Sequence, residues 1–406
     1  MKTTGIICEY NPFHSGHKYQ LDFVRKNGAE CIICVLSGNF TQRGEFAVAD
    51  KYTRAKAALA EGADIVVELP FPYCSMSAEG FANAGVFILS CMGADTICFG
   101  FENERAKSLF EASEILTSDE FTDKFRENKN NNKGSASNFF ELLGKSAKTT
   151  DKFGSNDILG IAYIRACRRF CPDMNILPLK RSGSDYLSTV IDELRFPSAT
   201  ALRKKLYDGQ SFCDFSNALI PQNALEVYID AQKKGVAPVS EENISQSILS
   251  FFRLLDPDAI TTRAVGLSRG GKAVADDGSG ILNRLCKAAS QSKSYSQFLN
   301  SAFNSKYTNS RIRRVILFSL CGVSDAMYRS LPVYTTLLAA NQTGCRMLAT
   351  LRKDPKLNIV TKPSHAPSDT GQYRLSEKAD ALFSMAMPSV KDSGVFLRHF
   401  PTILNE

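Results

Sequence analysis

Residues 9–18 read EYNPFHSGHK, and this short stretch holds two of the four histidines in the chain, His14 and His17. They flank Gly16 and follow directly on the apolar run Gly5-Ile6-Ile7-Cys8. Imidazoles three residues apart share one helix face and can donate hydrogen bonds to oxygens of the same phosphate. A glycine between them lets an anion or a nucleobase come close to the main chain. Free amides at a helix start, together with the helix dipole, favour negative charge there. Two other chemistries compete. Zinc could draw on His14 and His17 with Cys8 or Glu9, but no further ligand set nearby completes a tetrahedral site. The pair could also simply cap a surface helix. A nucleotide site fits the spacing best, and no metal site is assigned.

A second stretch points the same way. FPSATALRKKLYDG, residues 196–209, has Ser198 as an N-cap, Thr200 in the first turn, Arg203 one turn on and Gly209 as a stop. Hydroxyls and amides at such a helix start, with an arginine behind them, can meet a phosphate. Alone, it is a plain capped helix; beside the histidine turn it is a candidate partner.

Several elements must position these groups. The strands expected are Thr4–Cys8, Cys31–Leu36, Asp64–Leu69, Thr96–Phe99 and Asn175–Leu179, each nearly continuous in apolar residues, as parallel strands covered on both faces are. Helical patterns lie between them, Asp50–Glu61 with Asp50 as N-cap and Ser75–Cys91 among them. Strand–helix–strand alternation predicts a Rossmann-like, doubly wound α/β sheet, whose ligands sit beyond the carboxyl ends of its strands. Residues 128–138, NKNNNKGSASN, read as a surface connector, and SRGGKAVADDGSG, 268–280, as a loop without Walker spacing. Beyond about residue 215 helical spacing dominates, with a small β element near Val333–Ala339 and Asn358–Thr361. The expected division is an α/β domain over 1–215 and a mostly α-helical domain over 216–406.

With 406 residues and a net charge of +7, the chain suits a polyanionic partner without requiring one. The twelve cysteines are scattered within apolar runs and read as buried, reduced thiols. No stretch is long and apolar enough to span a bilayer, and the N-terminus lacks signal-peptide regions, so a cytoplasmic protein with no membrane association is expected.

The segments GIICEYNPFHSGHKYQ, SGNFTQRGEFAVADKYTRAKAAL, GADIVVELP, CFGFENE, SNDILG and SATALRK together resemble the bacterial tRNA(Met) cytidine acetate ligase family, within the nucleotidyltransferase superfamily that carries a histidine-x-glycine-histidine motif. The resemblance runs from the first residues to about 205 and continues more weakly through KYTNSRIRR and LRKDPKLNIV. It implies an enzyme that activates acetate with ATP and passes the acetyl group to the wobble cytidine of elongator tRNA(Met). It also implies an ATP-binding segment of Ile7, Cys8, Glu9, Tyr10, Asn11, Pro12, Phe13, His14, Ser15, Gly16, His17, Lys18, Tyr19 and Gln20, completed by Gly100, Asn156 and Arg181. Ala199 stands where the superfamily usually has the second serine of its helix-start motif.

Carboxylate attack on the α-phosphorus needs positioning and charge compensation rather than a covalent enzyme intermediate. His14 and His17 are the candidates at the phosphates, with Lys51, Arg54, Arg181 and Arg203 for charge and Mg²⁺ expected with ATP. Lys306, Arg311, Arg313 and Arg314, near Tyr307, form the candidate tRNA patch. His365 and His399 read as incidental, and no stable protein partner is implied. The rival readings are a small-metabolite adenylyltransferase using the same ATP site and a non-catalytic RNA-binding protein. An aminoacyl-tRNA synthetase shares the histidine turn, but its lysine-methionine-serine-lysine-serine loop is absent.

Overall fold

The computed structural model describes residues 1–118, 153–181, 198–256, 280–304, 307–351, 356–367 and 371–404. The connector 128–138, the loop 268–280 except Gly280, and Lys306 lie outside the described residues. In chain order the elements begin β1 (Thr3–Cys8), α1 (Ser15–Lys26), β2 (Cys31–Ser37), α2 (Lys51–Ala60), β3 (Ile65–Leu69), α3 (Ala78–Cys91), β4 (Thr96–Phe101), α4 (Ala106–Ile115), α5 (Ser155–Phe170), β5 (Asn175–Lys180) and α6 (Ala199–Tyr207). They continue with α7 (Gln222–Lys233), α8 (Ser245–Leu254), α9 (Ile281–Gln291), α10 (Tyr295–Ala302), α11 (Asn309–Cys321), α12 (Asp325–Arg329), β6 (Tyr334–Ala340), α13 (Gln342–Leu351), β7 (Asn358–Val360), α14 (Gln372–Met385) and β8 (Thr402–Ile403).

Every residue of β1, β2 and β3 is buried, which is why their sequences carry apolar side chains on both faces rather than alternating. The strand order is β5-β4-β1-β2-β3-β6-β7, and all pairs from β5 to β3 are parallel. The chain winds outward from β1 in two directions, toward β3 and toward β5. The crevice beyond the carboxyl ends of β1 and β4 is therefore the topological switch point, where doubly wound sheets bind ligands.

The expected doubly wound sheet is present, with one extension that periodicity did not disclose. The small β element of the second half is no separate unit. β6 pairs antiparallel with β3, Ile65 facing Ala340, and β7 and β8 each pair parallel with part of β6. Without β6, the buried β3 would present an unpaired edge. Asn341 fastens the junction: its amide donates to Asp64 O at 3.0 Å and its Nδ2 to Asp64 Oδ1 at 2.8 Å. The boundary at residue 215 does not divide the sheet, because residues beyond 330 complete it.

The twelve thiols are free. Cys31 and Cys34 are both buried on β2, where an offset of three places them on opposite faces. Among the described residues, no helix is long and apolar enough to cross a membrane.

Candidate active site

The first strand ends at Cys8, and five residues of loop lead to His14, the N-cap of α1. Tyr10 in that loop has φ of +45°, a left-handed conformation that few non-glycine residues hold without surrounding support. The support is dense: Tyr10 is buried, its ring lies 4.9 Å from Phe13 and 4.8 Å from His17, and its Oη meets Cys34 Sγ at 3.6 Å.

His14 and His17 stack with ring centroids 3.7 Å apart and planes 25° from parallel. Each Nδ1 accepts a main-chain hydrogen bond. The Gly16 amide donates to His14 Nδ1 at 3.1 Å, and the His14 amide to His17 Nδ1 at 3.2 Å. An imidazole whose Nδ1 accepts carries its proton on Nε2, so each ring has one donor left, its Nε2–H. Burial, with Arg181 and Arg203 adding to it, pulls His14 down to about 3. Burial, His14 and Arg181 push His17 well below the usual histidine range. Both rings are therefore neutral at physiological pH, and they sit where negative charge would be welcome.

The expectation that α1 offers free amides to a phosphate is not met. Ser15 N donates to Leu219 O at 3.0 Å, Gly16 N to His14 Nδ1, and His17 N and Lys18 N to His14 O at 2.8 and 3.2 Å. The capping box formed by the two histidines consumes the turn's own donors and leaves the Nε2–H groups in their place. At α6, by contrast, Ser198 Oγ accepts from Ala201 N at 3.0 Å, which leaves the first-turn amides of Ala199 and Thr200 uncapped by that side chain.

A cavity of about 530 Å³ opens at the switch point. It gathers Ile7, Cys8, Glu9, Tyr10, Asn11, His14, His17 and Gln20 from the first strand and turn, Gly100 from β4, Asn156 from α5, and Arg181 and Ser198 from beyond β5. Twelve of the expected ATP and phosphate residues thus share one space. Others of that segment serve behind it. Phe13 is fully buried, Pro12 is buried, Gly16 caps within the turn, and Ser15 Oγ donates to Ala218 O at 2.5 Å. Lys18 pairs with Asp22, and Tyr19 is exposed. Neither Thr200 nor Arg203 lines the cavity; Arg203 Nη1 instead donates to Asn11 O at 2.8 Å and so braces the turn.

Polar groups poised toward this space are unevenly satisfied. Asn11 Oδ1 accepts from Val48 N at 2.7 Å, while its buried Nδ2 has no partner. A buried donor without an acceptor costs about 1–3 kcal/mol, which a ligand oxygen would relieve. Glu9 Oε1 accepts from Gln42 N at 2.8 Å, and burial raises its carboxyl above the usual range. Asp157, fully buried, organises the opposite wall: Oδ1 accepts from the Glu102 and Asn103 amides, and Oδ2 from Gly154 N at 2.8 Å. Asn156 Nδ2 donates to Glu102 Oε1. A Cβ on Gly100 would lie 3.2 Å from Arg181 Cγ, so that glycine leaves room for the arginine to cross it.

Two charge assignments require correction. Lys51 does not reach the cavity, because its Nζ is buried between Glu68 Oε1 at 2.8 Å and Asp380 Oδ2 at 2.7 Å. Despite burial, those two carboxylates raise its ammonium well above the usual lysine value. Asp380, reaching in from α14, was not visible to any reading of local spacing. Arg54 is also fully buried and spends its guanidinium on the carbonyls of Ala49, Glu9 and Gly38. It is a scaffold for the turns rather than a counter-ion for phosphate.

The expected tRNA patch is split. Arg314 lines the cavity, along with Thr308 and Ser310 of the same segment. Arg313 Nη1 lies 3.6 Å from Glu45 Oε1, and Arg311 stacks over Tyr307 at 5.1 Å. Gly44 permits this docking: it has φ of +78°, and a Cβ there would stand 2.8 Å from Arg314 N. Gln42, Arg43, Phe81 and Tyr163 also line the cavity without having been singled out from spacing. Arg43 and Gln42 stand in the SGNFTQRG segment, the only signal that marked them. Among the described residues, no cluster of three or more His, Cys, Asp or Glu could hold a metal ion.

The model of the HIGH Nucleotidyl Transferase family matches residues 1–395. A tRNA(Met) cytidine acetate ligase of Acetivibrio thermocellus is 33% identical over 380 residues, covering 90% of this chain and 89% of that protein. The crystal structure of apo Thermotoga maritima TmcAL is similar with a TM-score of 0.89, 30% identity and full coverage of both chains. The structure of that protein bound with alpha-thio ATP gives 0.86 at the same identity and coverage. On this combination of fold, paired imidazoles and similarity along nearly its whole length, the chain belongs to the tRNA(Met) cytidine acetate ligase family of HIGH nucleotidyl transferases.

Proposed function

We propose that this chain is an ATP-dependent acetate ligase that acetylates the wobble cytidine of elongator tRNA(Met). The observation that carries the reading is the neutral, stacked His14–His17 pair with both Nδ1 atoms committed and only Nε2–H donors left, set at the switch point of the sheet. The similar Thermotoga maritima protein binds alpha-thio ATP, which supports ATP as the nucleotide here.

In the first step an acetate oxygen attacks the α-phosphorus. The bond to the β-phosphate breaks, and pyrophosphate leaves with the electron pair. Charge grows on the phosphoryl oxygens, where the two Nε2–H donors, Arg181 and the start of α6 can stabilise it. In the second step the exocyclic amine of cytidine attacks the acyl carbon. AMP departs, and the amine proton is lost to solvent. Asn156 and Gly100 belong to the nucleotide side of the cavity. Mg²⁺, bound with ATP, would neutralise part of the phosphate charge, and Glu9, the carboxylate among the described residues of the wall, would be the residue to hold it.

The portion beyond residue 215 would serve the tRNA. Arg311 and Lys306 remain the candidates there, and the site would work in the cytoplasm, where tRNA is modified. The test is incubation of the protein with ATP, radiolabelled acetate and bulk tRNA, followed by nucleoside analysis. Label in acetylcytidine, dependent on ATP, is the expected result. Label passed to a phosphorylated metabolite, or none in RNA, would overturn the reading.

A further inference from the structure

Arg314 projects from the first turns of α11 onto the cavity wall. Its Nη1 makes one long hydrogen bond, 3.3 Å to Gln42 O, and its Nε is buried without a partner. Among the described residues no carboxylate pairs with it, and Glu45, which accepts from the neighbouring Arg313 at 3.6 Å, is shared with Arg203 at 3.4 Å. Burial, with Arg311 and Arg43 nearby, draws its guanidinium down to about 10, so it stays charged at neutral pH. A half-buried guanidinium with a buried, unpaired Nε and this little compensation is costly unless an anion completes it.

Its place in the fold says which anion. Gly100 near the end of β4, Asn156 on α5 and Arg181 just beyond β5 stand on one side of the histidine turn. Gln42 and Arg43 follow β2 on the other side, with Arg43 Nη2 reaching across to Ser155 Oγ at 3.1 Å, and Ala78 and Phe81 line the cavity from α3, which packs against α5. Gln42 ties these together. Its carbonyl accepts from Arg314, and its Nε2 donates to Met76 O at 2.8 Å, two residues before Ala78. A nucleotide seated at the switch point has its donors on the β4 side. The β2–β3 side then offers a guanidinium fork next to small apolar surface, which is the complement of a carboxylate bearing a methyl group.

We propose that Arg314 binds the carboxylate of the acyl substrate and sets its oxygen toward the α-phosphorus, with Ala78 and Phe81 against the methyl group. This rests on the ligase reading above. It also reassigns to the acid substrate an arginine whose sequence context suggested RNA.

The test compares the parent protein with Arg314→Gln and Arg314→Lys in acetate-dependent exchange of labelled pyrophosphate into ATP. Affinity for an ATP analogue is measured without acetate, and thermal melting verifies folding. The expected result is a KM for acetate raised about tenfold to a hundredfold in Arg314→Gln, less in Arg314→Lys, with exchange restored by more acetate. ATP-analogue affinity should stay within about twofold. An equal loss of analogue affinity would mean that Arg314 holds phosphate instead, and would overturn the assignment. So would an unchanged KM for acetate, or a loss of exchange that added acetate does not restore. If the parent itself shows no acetate-dependent exchange, the ligase reading fails and this one with it; failure in the variants alone sinks only the role of Arg314.

Discussion

The Phe13 amide donates to Tyr228 Oη at 2.8 Å, so α7 holds the histidine turn from 215 residues further along the chain. Ser15 adds bonds from the same direction, to Leu219 O and Ala218 O. The imidazole pair is thus positioned by the second half as much as by the first strand. Tyr228→Phe keeps the ring and removes the acceptor, leaving the buried Phe13 N–H unpaired. Denaturant unfolding should show a loss of about 1–3 kcal/mol, and calorimetry should show weaker binding of ATP. Unchanged stability and affinity would mean the turn holds itself.

The histidine rings should titrate far from ordinary values. In the empty protein both pKa values are depressed, that of His14 to about 3. In that pH window the unfolded chain binds more protons than the folded one. The stabilising contribution of the neutral ring is therefore present above about 6.5 and is lost as pH falls toward 3. NMR titration should find both rings neutral at pH 6 in the free protein. Bound triphosphate should move both pKa values upward, because its charge favours the imidazolium. A free-state pKa near 6.5 for both rings would contradict the buried geometry.

Lys51 belongs to the fold and not to the phosphates. Lys51→Met would strand Glu68 and Asp380 together in the interior, at a cost of about 3–5 kcal/mol. Above the melting transition of the variant nothing is learned. Below it, affinity for an ATP analogue should match the parent, and a selective loss of nucleotide binding with stability intact would return Lys51 to the site.

Gly44 is the contact on which α11 docks, and Gly44→Ala would have to displace the Arg313–Arg314 backbone. Strain at a positive φ and the steric conflict together should cost about 1–3 kcal/mol. If Arg314 holds acetate, the KM for acetate should rise more than that for ATP. Equal effects on both substrates would show a general loosening of the cavity.

Much of this was legible from local pattern. The five parallel strands, the central three buried on both faces, and the caps Asp50 and Ser198 announce themselves in a few residues each. His14 and His17 do as well, since a turn at the end of a first strand is read from its immediate neighbours. What local pattern could not supply were partners distant in the chain. Asp380 captures Lys51 from 329 residues away, and β6 covers the edge of β3 from the far half. The arginines after Tyr307 read as a patch for tRNA because the SGNFTQRG loop against which they fold lies more than 250 residues earlier. Charge identity is written locally, whereas charge compensation is decided by topology.

The central claim is that two neutral imidazoles grip the triphosphate at the rim of the sheet. A crystal structure with a non-hydrolysable ATP analogue tests it most directly. The expected result is phosphate oxygens within about 2.7–3.2 Å of both Nε2 atoms, with the base toward Gly100 and Asn156. A nucleotide seated away from this turn, or rings whose Nε2 atoms meet only protein, would contradict it.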